Sequence, residues 1–254
     1  MEEVKYNKLV SIVTPLFNSE KFISSTIQSV LSQTCHDWEL IIIDDCSTDR
    51  GLEIAKMYAK DDGRIIIKSL SKNSGSAAAR NEGIKIARGK YLVFLDSDDL
   101  LDDNFLEKQV AFIESKKCAV VTAGYRRKTD TTSTDFVPRE KITYRTLLRG
   151  NEISCLSSMI DLSITGKHYF DSSLLKSEDY LFWLMLVKKN SPVFSNPEVL
   201  ATYSLHANSK NRDKKSLIKW TRRVYRKIGF GPLLSWFCVC RLALYSKRKY
   251  RNVA

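Results

Sequence analysis

Three carboxylates, Asp96, Asp98 and Asp99, fall within four positions directly after an apolar, β-favouring run at 90–95. Apolar runs of this length read as strands buried on both faces. Carboxylates crowded at the edge of a core repel one another and lose hydration, so they need a cation beside them. A hard divalent metal carried with a phosphate ligand meets that need. The plainer alternative is a strand, an acidic turn and the N-cap of the next helix. It suffices for one Asp; three of them favour the metal site. Two further acidic pairs stand at element ends: Asp44-Asp45 closes a run at 38–43, and Glu178-Asp179 follows Ser177 at the head of a helical pattern. Taken alone, the second pair needs only a helix N-terminus to explain it, because first-turn acids complement the macrodipole.

The elements that must position these acids alternate. Strand patterns at 9–14, 38–43, 64–70, 90–95 and 119–125 are separated by helical patterns that open near Asn18-Ser19, Ser47-Thr48-Asp49, Ser76 and Asp102-Asp103-Asn104. Such alternation means βαβ units and a mainly parallel, doubly wound sheet. Right-handed crossovers put the C-terminal strand ends on one edge, where ligands of such sheets bind. Pro15, Asp44-Asp45 and Asp96 to Asp99 then converge on one crevice. Further on, 126–140 is polar and Thr-rich and reads as a surface loop. Strands are expected at 153–160 and 199–205, the latter leading to His206, with a helix over 177–189 between them. The sheet has no GxGxxG after its first strand and no GxxxxGK[ST], which argues against dinucleotide oxidoreductases and P-loop NTPases.

The chain has 254 residues and a formal net charge of +12, unevenly spread. Residues 210–254 hold 14 Lys and Arg against the single acid Asp213, so the rest sums to −1. A neutral body with a strongly basic tail suggests a polyanionic partner surface. The six cysteines form no CxxC pair and no zinc-ligand spacing, and read as free thiols in a reducing compartment. Residues 1–8 are polar, without an apolar signal-peptide core, so the body is not expected to be exported.

In order along the chain, Val13-Thr14-Pro15-Leu16-Phe17-Asn18, Asp44-Asp45-Cys46-Ser47-Thr48-Asp49, Asn73-Ser74-Gly75-Ser76-Ala77-Ala78-Ala79-Arg80-Asn81 and Asp96-Ser97-Asp98-Asp99 resemble the motifs of glycosyltransferase family 2. The resemblance covers about residues 9–210. It implies the GT-A fold and transfer that inverts the sugar carbon. It divides the chain into a catalytic domain at 1–210 (a nucleotide half about 1–125, an acceptor half about 140–210) and a tail at 211–254. By the same resemblance, Thr14, Pro15, Asn18, Asp44, Asp45, Arg80, Asp96 and Glu178 contact the nucleotide-sugar, with Asp45 beside Asp44 as the carboxylate that reads the base. Arg80 and Asn81 are implied to face the nucleotide and diphosphate. Asp98, Asp96 and His206 are implied to hold Mn²⁺ or Mg²⁺. Asp179 is implied to be the general base that takes the proton from the acceptor hydroxyl. Ser204 and Met185 stand where the family often has Arg, which leaves diphosphate contacts there unassigned.

The tail carries a basic helical pattern at 214–228 and a densely apolar one at 233–245. The apolar run is short of the roughly 20 residues that a span needs and contains Arg241. It reads as helices lying on an anionic membrane face with Trp236 and Phe237 dipping in; the alternative is a helix pair packed on the body. So apolar a tail suits lipid better than nucleic acid. The combination is similar to bacterial O-antigen and capsule repeat-unit transferases. That resemblance implies glucose or galactose moved from a UDP-sugar to GlcNAc-diphosphate-undecaprenol, in β-linkage, by a peripheral enzyme on the cytoplasmic face of the inner membrane. Two rivals remain open: a nucleotidyltransferase with a related metal site, and a non-catalytic membrane or nucleic-acid adaptor.

Overall fold

The computed structural model describes Tyr6 and residues 8–205 and 214–249, so His206 lies outside the described residues. The chain runs β1 (Lys8–Leu16), α1 (Ile23–Leu31), β2 (Trp38–Asp44), α2 (Gly51–Asp61), β3 (Ile65–Ser69), α3 (Ser76–Ile86), β4 (Gly89–Phe94), β5 (Leu100–Leu101), α4 (Phe105–Lys116) and β6 (Val120–Lys128). It continues through β7 (Ser133–Phe136), β8 (Lys141–Ile142), α5 (Tyr144–Leu147), β9 (Ser158–Asp161), α6 (Leu162–Thr165), α7 (Glu178–Lys189), β10 (Val193–Ser204), α8 (Lys214–Lys227) and α9 (Pro232–Lys249).

One sheet carries the molecule, in the order β3-β2-β1-β4-β9-β6-β10-β5, with β7 added to β6 and β8 to β10. All seven residues of β2 are buried, as a strand covered on both faces requires. Alternate strand residues serve two cores. Ile41, Ile43, Leu92 and Phe94 face α3, α7 and α8, while Leu40, Ile42, Tyr91 and Val93 face α1, α2 and α4. The strand period of two thus makes helices necessary on both sides. Each fully buried Ile or Leu contributes about 2 kcal/mol of transfer free energy.

The β1–β4 half is parallel as expected, with β2 and β4 flanking β1 and β3 outside β2. The second half is mixed. β9 is shorter than the 153–160 pattern and runs antiparallel to both β4 and β6. The Thr-rich stretch is no loop: β6 extends to Lys128 and folds back as β7, with Arg126 opposite Asp135. Thr129 and Thr132 close the turn through their hydroxyls, 2.8 Å apart. Threonine is β-branched and fits a half-exposed strand as readily as a turn, which is why polarity misled here. β10 begins at Val193 and passes Pro197 by a shift in register between Asn196 and Val199.

The tail packs on the body along one side. α8 buries Val224 and Tyr225, and α9 buries Cys238 and Val239. The Tyr225 hydroxyl donates to the Leu148 carbonyl at 3.1 Å and lies 3.0 Å from that of Tyr180 on α7. Among the described residues no helix is long and apolar enough to cross a membrane. All six cysteines are free thiols.

At the edge of the sheet away from the acids, β1 and β4 approach so closely that only glycine fits at 89. A Cβ there would stand 2.4 Å from the Ser11 amide nitrogen and 2.7 Å from the Val10 carbonyl carbon. Ser11 uses that closeness, accepting from the Gly89 amide at 2.8 Å and donating to Glu39 at 2.6 Å. We expect Gly89→Ala to lower stability by about 3 kcal/mol, because backbone rather than a movable side chain is in the way. A urea unfolding midpoint equal to wild type would refute the close approach.

Candidate functional site

The acids gather where the C-terminal ends of β1, β2 and β4 meet. The Asp45 amide donates to the Leu16 carbonyl at 2.8 Å and the Leu95 amide to that of Val13 at 3.0 Å, so the three strand ends are tied side by side. Thr14 is fully buried on β1 and its Oγ1 has no partner. Pro15, half-buried, sits in register with Ile43. Asn18 is exposed in the left-handed region at φ 49°, a conformation Asn tolerates. Its Oδ1 accepts from the Thr48 amide at 2.8 Å, and its own amide donates to Ser47 Oγ at 3.2 Å. Asn18 therefore stitches the first strand-to-helix loop to the second.

Asp44 and Asp45 are both buried but differ in what they do. Asp44 Oδ1 accepts from the Ser47 amide at 3.1 Å. Both oxygens of Asp45 point at the turn before α3, accepting from the Ser74 amide at 2.6 Å and the Gly75 amide at 2.7 Å. The turn needs such an anchor, since Gly75 stands at φ 86° and α3 has no side-chain cap. Asp44 and Asp45 thus each accept from backbone amides of a neighbouring turn.

Arg80 of α3 is the centre of the arrangement. Its guanidinium is buried, with Nη2 2.5 Å from Asp96 Oδ1 and Nη1 3.6 Å from Glu178 Oε1. Its Nε has no partner, and the Phe170 ring lies 5.4 Å from its Cζ. Burial opposes its charge, but Asp96, the Cys155 sulfur and Glu178 together hold its pKa above the usual arginine value. Arg80 is therefore not on the solvated face of α3. Asn81, next along the helix, does not face the crevice as expected. Its amide clamps the Phe170 backbone, donating to the carbonyl at 2.9 Å and accepting from the amide at 2.7 Å.

Glu178 also accepts from Ser76 Oγ at 3.1 Å, so the start of α7 is fastened to the start of α3. That places Asp179, partly buried, beside Glu178, Arg80 and Asp96 although 83 positions separate it from Asp96 in the chain. Burial, and then the Glu178 charge, push its carboxyl up to about 6. Asp99 is almost fully buried and accepts from the Ser204 amide at 2.9 Å. Its burial and the neighbouring Asp96 and Asp98 raise its pKa well above the usual carboxylate value. It ties β10 to the acidic turn and does not serve as a helix cap, since α4 begins later, at Phe105.

One residue of the cluster had no sequence signal. Cys155 lies within electrostatic reach of Arg80, Asp179, Asp96 and Glu178, and burial raises its thiol well above the usual value. A single cysteine in an irregular segment before β9 looks like any small apolar residue. For a metal, the described residues hold no group of three or more His, Cys, Asp or Glu arranged around one point. Asp96 and Asp98, two positions apart just after β4, offer only oxygen donors. Magnesium-type ions keep several waters and need only one or two carboxylates plus substrate phosphates, so the residues fit such an ion.

Residues 11–164 match the family model described as Glycosyl transferase family 2. The chain belongs to that family. It is 40% identical over 226 residues to a putative teichuronic acid biosynthesis glycosyltransferase, TuaG, of Bacillus subtilis, covering 88% of this chain and 89% of that one. It is 34% identical over 254 residues to a UDP-Glc:alpha-D-GlcNAc-diphosphoundecaprenol beta-1,3-glucosyltransferase, WfaP, of Escherichia coli, with 96% and 99% covered. Among solved structures, S. aureus TarS 1-349 in complex with UDP-GlcNAc superposes with a TM-score of 0.74 at 21% identity, covering 96% of this chain and 73% of that one. The chain is therefore a glycosyltransferase with the GT-A architecture that the motifs implied, and the nucleotidyltransferase and adaptor readings give way.

Replacing Asp45 with Ala strips two backbone donors of a charged acceptor, at a cost of about 3 kcal/mol. We expect faster amide exchange at Ser74 and Gly75 and a lower unfolding midpoint. Unchanged exchange at both amides would mean that the turn is held by something else.

Proposed function

We propose that the protein is an inverting glycosyltransferase that moves glucose or galactose from a UDP-sugar to the GlcNAc of GlcNAc-diphosphate-undecaprenol, in β-linkage, for an O-antigen or capsular repeat unit. The observation that carries this reading is the ion-paired bridge from Asp96 through Arg80 to Glu178, which joins the acids at the end of β4 to Asp179 at the start of α7. A donor-holding edge and a basic carboxylate on the acceptor side thereby share one crevice. The similarity to WfaP, a UDP-Glc:alpha-D-GlcNAc-diphosphoundecaprenol beta-1,3-glucosyltransferase, supports the choice of donor and acceptor.

In this reading Thr14, Pro15, Asn18, Asp44 and Asp45 bind the nucleotide, with Asp45 reading the base while its backbone contacts keep the loop before α3 in shape around it. Arg80 orients Asp96 toward the donor sugar and holds Glu178 in place. Asp98 and Asp96, with His206 from beyond the described residues, would hold Mn²⁺ or Mg²⁺. When bound, the ion would neutralise charge on the departing diphosphate. Asp179 accepts the proton of the attacking hydroxyl, a weak nucleophile without a base. Its raised pKa makes it a stronger base than an exposed Asp while leaving it about 90% ionised at pH 7. Basic α8 and the exposed apolar edge of α9 seat the enzyme peripherally on an anionic membrane face, the cytoplasmic side of the inner membrane, where a lipid-linked acceptor is presented.

Asp179→Asn should lower transfer by about 10²- to 10⁴-fold while UDP-sugar affinity stays within about twofold, since it removes only the proton acceptor. The wild-type rate should fall about tenfold per pH unit below about 6, as the base becomes protonated, and the variant should lose that acid limb. Transfer that survives in Asp179→Asn would sink the assignment of the base. A panel of UDP-, GDP- and dTDP-sugars against a synthetic GlcNAc-diphosphate-lipid, with and without EDTA, tests donor and ion. A preference for another nucleotide, or full activity in EDTA, would overturn the corresponding part.

A further inference from the structure

The basic tail reaches the acidic crevice through the first turn of α7. Tyr180 follows Asp179 directly, and its backbone amide faces the Asp179 carboxylate and favours the charged form. Its side chain points the other way, into the contact with the tail. The Tyr180 hydroxyl donates to the Leu147 carbonyl at 2.9 Å and lies 3.0 Å from the Tyr225 hydroxyl of α8. Tyr225 in turn donates to the Leu148 carbonyl at 3.1 Å. Tyr180 thus meets the base with its backbone and the tail with its ring.

The contact is buried and directional. The two rings meet edge to face at 6.0 Å, and Phe230, from the turn between α8 and α9, stacks on Tyr225 at 5.9 Å. Burial pushes the Tyr225 phenol up to about 12 and that of Tyr180 well above its usual value, so both stay donors at neutral pH. Hydrogen bonds to fixed carbonyls give the rings a direction that apolar packing alone does not. Lys227, two positions beyond Tyr225, pairs with Asp171 at 2.6 Å, next to the Phe170 that Asn81 clamps, so α8 is itself moored beside the site. The start of α7 needs such a hold. Ser177 stands at φ 62° and makes no side-chain cap. Glu178 is fastened to α3 by Ser76 and Arg80. Among the described residues no side chain hydrogen-bonds the Asp179 carboxylate, so its aim is the aim of the turn that carries it.

We infer that Tyr225 is a positioning residue for the transfer reaction: by holding Tyr180 against the end of α5, it fixes the first turn of α7 and with it the direction of the Asp179 carboxylate. The inward side of the tail is then part of the reaction machinery. The inference rests on the assignment of Asp179 as the base proposed above.

The test uses the full chain, the donor that the nucleotide-sugar panel selects and the synthetic GlcNAc-diphosphate-lipid, at a temperature well below the unfolding midpoint of every variant. Tyr225→Phe removes one hydroxyl and keeps the ring. It should lower kcat about 5- to 30-fold, as a base displaced by a fraction of an ångström does, with KM for both substrates within about twofold. Tyr180→Phe, which removes the facing hydroxyl, should do the same. Amide exchange should quicken in both at Tyr180 and at Leu181, whose amide closes the first turn of α7 on the Ser177 carbonyl at 3.2 Å. In the Asp179→Asn background Tyr225→Phe should cost nothing further, because a residue that acts through the base is silent once the base is gone. A loss in that background as large as in the wild type would make Tyr225 merely structural and overturn the inference. Unchanged kcat and exchange in Tyr225→Phe, with transfer lost in Asp179→Asn, would overturn it and leave the base assignment standing. Full transfer by Asp179→Asn, with exchange quickened in Tyr225→Phe, would remove the base assignment and the catalytic meaning of Tyr225 together, while its hold on α7 stood.

Discussion

The site depends on one buried guanidinium. Arg80 sits inside the apolar layer formed by α3, α7 and the 166–171 segment, where an unpaired charge would be costly, and it is tolerable there because Asp96 and Glu178 approach from two sides. The dependence runs both ways. Without the cation, Asp96, Glu178 and Asp179 would face one another as like charges in a partly dry crevice. Arg80 therefore holds the surrounding acids together and sets where they point.

That constraint explains several local features. Asn81 spends its whole amide on the backbone of Phe170, and the aromatic pair Phe170 and Phe182, stacked at 4.2 Å, forms the floor beneath Arg80. Ser177, at φ 62°, turns the chain into α7 so that Glu178 and Asp179 begin the helix against α3. Asp99 and Ser204 pull the end of β10 to the acidic turn from the far side. The sheet supplies rigidity, and short polar links between loops supply aim.

The tail pair has two faces with different physics. Inward, the Tyr180 and Tyr225 hydroxyls reach the Leu147 and Leu148 carbonyls at the end of α5, so a polar pair can sit within an apolar contact. Outward, arginines and bare apolar side chains lie side by side. Of the two readings that the sequence left as alternatives, packing on the body describes the inward sides of these helices; the lipid-facing reading concerns only their outward sides.

Strand alternation, the helix starts and the placement of acids at strand ends were legible in the residues alone, because they are local: hydrophobic period and turn chemistry act over a few positions. The motifs also carried the family, since four short patterns in order leave little room for another architecture. What the chain could not reveal is which polar groups face each other across long separations. Asp45 and Asp44 are adjacent and alike in sequence, yet the first is consumed by two backbone amides, a distinction set by where the turn before α3 lies. Cys155 enters the cluster, Asn81 leaves it and the Thr-rich stretch becomes a hairpin for the same reason. Each outcome is decided by a partner tens of residues away, or by a pairing edge that exists only once the sheet is assembled. Sequence alone determined the fold and the kinds of groups at the site; tertiary structure decided their pairing, because burial and hydrogen-bond partners are properties of the packed chain.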